Sequence, residues 1–497
     1  MKIKRILSAF AFVLMTSVLM TSAAVAQQAP AAATRPTLDP ATLTHEQIAQ
    51  TQVPEALFRL ATVYKQSGDN ERLEWTLQRL IVLRPNSGDL KLALATTYAL
   101  QGQSSKTYDL LLGVQKAGFG YDLSHNENFA KVADTKVWKY IVDSLNQNLQ
   151  PFGQGKVAFT LPRGDHLYES LAFDPKRKQF LVGSARDGTI SLACKDGKLQ
   201  PFIKPDAANG LWSVYAMAAD PASDTLYVAS SASVYFKGFT QADFGKAGIF
   251  KFSLSTGKPT GKYLLAPDSQ PRTLSSIAVG KDGLLFAADG VRNQIYRLDG
   301  SELKLMLENP KLTSIRGLAL SGDGKTLYFA DYTLGVFGVD LAAGQGFEFG
   351  YDTARLVLAG VDGLYWYDNS LVVIENGITP HRVMRLSLSD DGRKILKAMP
   401  LDSANAAFAL PTYGTIDGDG LYFIANSQKN QYDTYGTPKD AAKLEAVQVF
   451  RSDLRFAWDE PGIDLRERAA IPPLLKAPKP SGPFANVEAG AQSAPEH

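Results

Sequence analysis

The chain has 497 residues, 45% of them hydrophobic, enough for two domains with real cores. Its formal net charge of +2 falls to about −1 once three N-terminal cations are set aside, so it lacks the basic excess that a nucleic-acid partner requires. Cys194 is the only cysteine, which excludes an intrachain disulfide.

Residues 1–26 read as an export signal. Lys2, Lys4 and Arg5 precede an apolar run from Ile6 to Met20, and Ala24-Val25-Ala26 forms a small-x-small cleavage site. The run is too short to span a bilayer, and no cysteine follows the cleavage site to take a lipid. The expected address is the periplasm or the exterior, without membrane insertion. Residues 27–44 are Ala, Pro, Gln and Thr with little apolar content, the composition of a flexible leader.

Helical periodicity occupies residues 45–150. Leu60-Ala61, Tyr64 and Gly68 recur as Leu94-Ala95, Tyr98 and Gly102, each displaced by 34 residues, and this resembles the tetratricopeptide repeat. The pattern from Phe129 to Leu145 has no such match and is expected to be a capping helix pair. Two readings stand for this segment: it docks a protein or peptide partner, or it packs on the domain that follows.

From residue 155 to 459 one pattern recurs six times. A polar or aromatic residue precedes a small and mostly apolar run, a Gly/Asp turn follows, and a second apolar strand comes next. The copies open at Glu169, Tyr215, Ser275, Arg316, Asp362 and Tyr413, spaced 46, 60, 41, 46 and 51 residues apart. That is the length of a four-stranded propeller blade. The predicted fold is therefore a helical domain followed by a six-bladed β-propeller, in class α plus all-β. VAFTL, Val157 to Leu161, stands alone before the first inner strand, and the last blade runs out after its third. VAFTL is expected to supply the missing strand and close the ring. Residues 460–497 are rich in Pro and Ala without hydrophobic period, an extended or disordered tail.

Strand direction decides which residues meet. The six opening residues line the channel at one face, where the second strands also end, at Ser184, Ser230, Asp289, Asp331, Asn376 and Asn426. That mouth is the expected ligand site, with Arg382 adding charge. Asn376, Arg382 and Asn426 read equally as turn and cap residues. His166, three residues before Glu169, is a general-base candidate or a solvated loop histidine. Insertions at FKGFTQADFGKAG and SQKNQYDTYGTPKDAAKLEA are a lid or merely long loops.

ESLAFDP, SSIAVGKDG, RGLALSGDGKTLYFAD and DGLYWYD resemble motifs of the senescence marker protein and gluconolactonase family of six-bladed propellers. The resemblance covers the propeller and leaves out the helical front. It implies a divalent cation, commonly calcium, held by a glutamate, two asparagines and an aspartate, and it implies lactone hydrolysis. Glu169 and Asp362 stand at the two acidic positions, as catalytic candidates and metal ligands, whereas Ser275 and Arg316 stand at the asparagine positions. A guanidinium offers no oxygen to calcium and repels a dication by about 8 kcal/mol at 4 Å and an effective dielectric of 20. No cation is therefore favoured. Arg316 either plugs the channel through ion pairs with Asp362 and Glu169, or is only partly satisfied and anchors an anionic ligand. A noncatalytic binding protein is placed ahead of a lactone or ester hydrolase.

Overall fold

The computed structural model describes residues 39–194, 196–459 and 463–464. The export signal, most of the leader and nearly all of the tail lie outside the described residues.

The propeller consists of six antiparallel sheets, five with four strands and the fifth blade's with six, its four blade strands being joined by two short outer ones. The inner strands are Tyr168–Asp174, Ser213–Asp220, Leu274–Val279, Ile315–Leu320, Val361–Tyr367 and Gly414–Asp417. The second and third strands are buried at most of their positions, and some along their whole length, as in Leu285–Asp289 and Ser370–Glu375. The reason lies in where the core sits. Each apolar cluster joins two successive blades: Ala172 and Leu181 of blade one meet Val214 and Val228 of blade two, and Ala278 and Phe286 of blade three meet Leu318 and Phe329 of blade four. A sheet buried on both faces needs an apolar side chain at nearly every position, so alternation is lost. Near the axis the blades converge, and bulk is excluded. A Cβ on Gly317 would stand 2.6 Å from the Leu364 Cβ and 2.9 Å from its backbone nitrogen.

The ring closes as expected. Lys156–Leu161 pairs antiparallel with Val447–Asp453 and completes blade six. Phe152–Gly153 also adds to the outer strand of blade five, Ile395–Ser403, and Ile463–Asp464 adds to the same strand nearby. The tail is thus a strand where it is described. Asp402 joins these pieces, its carboxylate accepting the Gly155 N–H at 2.8 Å and the Ser452 hydroxyl.

Six α-helices are described: α1 His45–Gln50, α2 Pro54–Ser67, α3 Asn70–Leu83, α4 Gly88–Leu100, α5 Ser104–Lys116 and α6 Lys136–Asn148. The helices α2–α3 and α4–α5 form two hairpins in which Gly68 and Gly102 each turn the chain at φ 73°, a left-handed conformation that favours glycine. This realises the 34-residue offset, while a tetratricopeptide assignment rests on the sequence resemblance. The expected capping helix pair is instead one helix. Phe129 and Val132 are buried from a short 3-10 turn and the coil after it, and Thr135 starts α6 by accepting the Trp138 N–H at 3.0 Å.

The helices pack on the propeller. Leu111, Val114, Ile141 and Leu145 share one core cluster with Val357, Ala359 and Ile378 from the loops of blades four and five. The Gly120 N–H donates to the Thr379 carbonyl at 2.9 Å, and Asn86 Nδ2 to the Leu334 carbonyl at 2.8 Å.

Burial pushes the Asp402 carboxyl up to about 6, against the hydrogen bonds from Ser452 and Gly155. The folded chain then binds this proton more tightly than the unfolded chain. Stability from this group is present at acid pH, falls between about pH 4 and 6 and is flat above. Asp402→Asn keeps an acceptor for Gly155 without the buried charge. At pH 8 the variant is expected to be more stable than wild type by about 1–3 kcal/mol, with the difference vanishing near pH 4, by urea denaturation at both pH values.

Candidate functional site

A β-bulge places each of the first five opening residues. The strand register breaks between Tyr168 and Ser170, Val214 and Ala216, Leu274 and Ser276, Ile315 and Gly317, and Val361 and Gly363. The residue left out of the ladder is Glu169, Tyr215, Ser275, Arg316 or Asp362, and a bulge frees such a residue to be re-aimed. In blade six the ladder begins at Gly414, and Tyr413 stands just before it.

Four of the six openers, Glu169, Arg316, Asp362 and Tyr413, line one polar cavity of about 220 Å³. Asp362 is held from behind, its Oδ2 accepting Asn376 Nδ2 at 3.0 Å and Thr412 Oγ1 at 2.6 Å. Tyr332 donates to Asn376 Oδ1 at 2.9 Å and so fixes that amide. Glu169 accepts the Ser427 hydroxyl at 2.6 Å. Burial, first of all, raises the Glu169 carboxyl above its ordinary value, opposed by Lys429 and the Ser427 bond and reinforced by Asp362. The Tyr413 hydroxyl is buried beside the Arg316 guanidinium, and burial with Asp362 nearby keeps the phenol protonated.

Arg316 is only partly satisfied. Its Nε donates to Ser314 Oγ at 2.9 Å, its guanidinium lies over the Tyr332 ring at 5.4 Å, and its Nη1 stands 3.9 Å from Asp362 Oδ1. That last distance exceeds a charge-assisted hydrogen bond. The expected pairing across the channel with Glu169 does not form, because Ser427 and Lys429 of the blade-six insertion occupy that side. Burial works against the Arg316 charge, and the Asp362 carboxylate together with the Tyr413 hydroxyl as hydrogen-bond partner keeps the guanidinium protonated. With 31% of its side chain exposed, Arg316 remains reachable.

The remaining two openers belong to other cavities. Tyr215 bonds Ser233 Oγ at 2.7 Å, and Ser275 donates to the Ile315 carbonyl at 3.0 Å. Both border an apolar lobe of about 300 Å³ that meets the polar cavity at Arg316 and Lys429. Both also border the lower channel, a third cavity of about 310 Å³ lined by the inner strands.

Three expected site residues are employed elsewhere. Arg382 donates to Glu375 Oε2 at 2.5 Å, to the Val357 carbonyl at 3.0 Å and to the Ala117 carbonyl at 3.5 Å, which makes it an anchor between propeller and helices. Asn426 spends its amide on the Gln448 N–H at 2.7 Å and the Ala446 carbonyl at 3.1 Å. His166 bonds Asp187 at 2.8 Å within a surface network of Asp165, Arg186 and Lys237. Asp331 likewise organises its own loop, accepting the Thr313, Ser314, Thr333 and Leu334 N–H groups.

That same network shows what the two insertions do. Lys237 from the blade-two insertion and Tyr432 from the blade-six insertion both bond Asp165, while Tyr235 meets Tyr432 edge-on at 6.2 Å. The insertions are packed together over blade one. They deliver Ser427 and Lys429 to the mouth, two lining residues that the sequence pattern did not mark. The available signal was a lysine three residues beyond the last second-strand end, inside the longest insertion.

Calcium does not fit this donor set. Two carboxylates face the cavity, but a guanidinium and an ammonium share it, and calcium requires six to eight oxygens. Among the described residues no group of three or more His, Cys, Asp and Glu side chains is arranged to hold a metal.

No protein-family model matches the chain, and no curated protein matches it. Solved structures similar to it include the PQQ-bound aldose sugar dehydrogenase of Streptomyces coelicolor, 16% identical at TM-score 0.40 over 61% of this chain and 99% of that one. An oxidoreductase described as a glucose dehydrogenase, from Thermus thermophilus, matches at 16% identity and TM-score 0.40 over 60% and 99%. A gluconolactonase of Xanthomonas campestris matches at 14% identity and TM-score 0.38 over 59% and 88%. The six sheets themselves establish the propeller.

The donor chemistry yields a test. Wild-type protein is expected to melt at the same temperature in calcium and in chelator. Arg316→Asn/Ser275→Asn, which removes the guanidinium and restores two amide oxygens, is expected to gain about 2.7 kcal/mol at a hundredfold calcium excess over its Kd. A calcium-dependent rise in wild type would overturn the electrostatic assignment of Arg316.

Proposed function

We propose that this is a binding protein whose propeller mouth holds a small organic anion, headed by a carboxylate, between Arg316 and Lys429. One observation carries the reading: both cations line the same cavity with bonding capacity to spare. Arg316 gives its Nε to Ser314, lies beside the Tyr413 hydroxyl and stands 3.9 Å from Asp362, which leaves part of its five-donor guanidinium over, and the Lys429 ammonium makes no hydrogen bond or ion pair among the described residues. A cation aimed into a confined polar cavity attracts an anion more strongly than it would in bulk water. Asn376, Thr412 and Tyr332 hold Asp362 in place, so that carboxylate is not free to swing onto Arg316.

A helical partner surface belongs to the same proposal. Phe58, Val63 and Val82 stand exposed on α2 and α3, away from the helices that pack on the propeller, and offer apolar contact to a protein or peptide. The signal-like N-terminus supports an address outside the cytoplasm, in the periplasm or beyond.

Calorimetric titration with monocarboxylates at low ionic strength tests the mouth. Arg316→Gln and Lys429→Gln are each expected to weaken binding by about tenfold or more, the usual loss for a hydrogen bond to a charged group. Unchanged affinity in both variants would overturn the reading.

Hydrolysis of a lactone or ester is the second reading, favoured by the buried Glu169 carboxyl on the cavity wall, positioned as a general acid or base. In that case Glu169→Gln is expected to lower turnover of a lactone substrate at least a hundredfold, the scale of acid–base assistance. Turnover that survives the substitution would remove Glu169 from the chemistry.

A further inference from the structure

The polar cavity and the apolar lobe meet at two residues, Arg316 and Lys429, the pair that the anion reading assigns to the ligand's head. The lobe beyond them is lined by Val234, Tyr235, Phe239, Phe244, Pro271 and Val291. It carries one further cation, Arg272, whose guanidinium is directed at the Tyr296 hydroxyl at 2.8 Å and at Asp268 at 3.2 Å. Of its hydroxyls, Ser233 Oγ is bonded to both Tyr215 and Ser213 and Ser275 Oγ to the Ile315 carbonyl, while those of Thr273 and Tyr235 and the Arg272 Nε are the remaining polar groups. Over most of its lining the lobe presents carbon. Val234 and Val291 are 39% and 49% exposed, so apolar surface stands open to water beside the charged junction. The wall is held in shape by the meeting of the two insertions, where a Cβ on Gly436 would lie 2.2 Å from the Val234 carbonyl oxygen.

Resting on the anion-binding reading, we infer that the ligand is an amphipathic carboxylate, its head between Arg316 and Lys429 and an aromatic or branched aliphatic tail in the lobe. The lobe's volume of about 300 Å³ is roughly twice the ~150 Å³ cavity that accommodates benzene. A six-membered ring fits with its linker. A polyhydroxylated acid is disfavoured, because most of its hydroxyls would lose water against Phe239, Phe244 and Val234 and only a few could find partners at Thr273, Tyr235 and Arg272. Each methylene moved from water into such a lobe tightens binding by about fourfold.

The test is calorimetry on the full chain with four probes: 3-phenylpropionate, propionate, gluconate and 3-phenylpropan-1-ol. The expected order places 3-phenylpropionate at least tenfold tighter than each of the other three. Phe244→Ala is expected to shrink the ratio between phenylpropionate and propionate. Val234→Gln, at a half-exposed position whose replacement leaves the core intact, is expected to shrink it as well. Equal affinity for propionate and phenylpropionate overturns the tail assignment and leaves the anion reading standing. Tightest binding by gluconate overturns it in favour of a polyol acid. An alcohol that binds as well as its acid overturns the anion reading itself.

Discussion

Each blade has two apolar faces and can bury them only against its neighbours. The propeller has no common core; its apolar clusters lie between successive blades, and the first blade's outer face would stay wet unless it met the last. Ring closure is therefore the constraint from which the rest follows. Lys156–Leu161 meets it by crossing from the start of the domain into blade six, and Phe152–Gly153 with Ile463–Asp464 brings the segments that flank the propeller to the outer strand of blade five. Asp402 sits where these pieces meet, and burial raises its carboxyl above the ordinary value.

Closure also explains how the site arises. Six inner strands running side by side bring six equivalent positions to one end of a narrow channel, whatever their chemistry. Bulges then take the first five openers out of the ladder and turn them inward. The residues at those positions set the electrostatics. Two carboxylates and a guanidinium converge, and the blade-six insertion adds an ammonium. The charges do not cancel in tight pairs. Glu169 and Asp362 are satisfied by hydroxyls and an amide, which leaves Arg316 and Lys429 facing the cavity.

The surroundings of the mouth are rigid for identifiable reasons. The insertions are fastened across blade one by Asp165, Arg186, Lys237 and Tyr432, and the helical layer is fastened to blades four and five by a shared apolar cluster and Arg382. Arg382 pairs with Glu375 inside that interface, and removing one partner of such a buried pair leaves an uncompensated charge.

Periodicity by itself determined the blade count, the strand boundaries, the closing strand and the six opening residues, because each blade repeats the same local demands for a small inner strand, a Gly/Asp turn and apolar faces. The 34-residue helical offset was legible for the same reason, since a glycine turn recurs where the backbone takes a positive φ. Only the tertiary structure decided how the polar residues were spent. Asn426, Arg382 and His166 have the right chemistry and the right strand ends, yet their bonds go to Gln448, Glu375 and Asp187. Ser427 and Lys429 carried no periodic mark, being in an insertion, and came to the mouth through long-range packing of Tyr432 against Tyr235. A hydrophobic repeat is a local constraint readable one blade at a time, whereas a hydrogen bond between residues hundreds of positions apart depends on where closure places them, as Ser427 and Glu169 show.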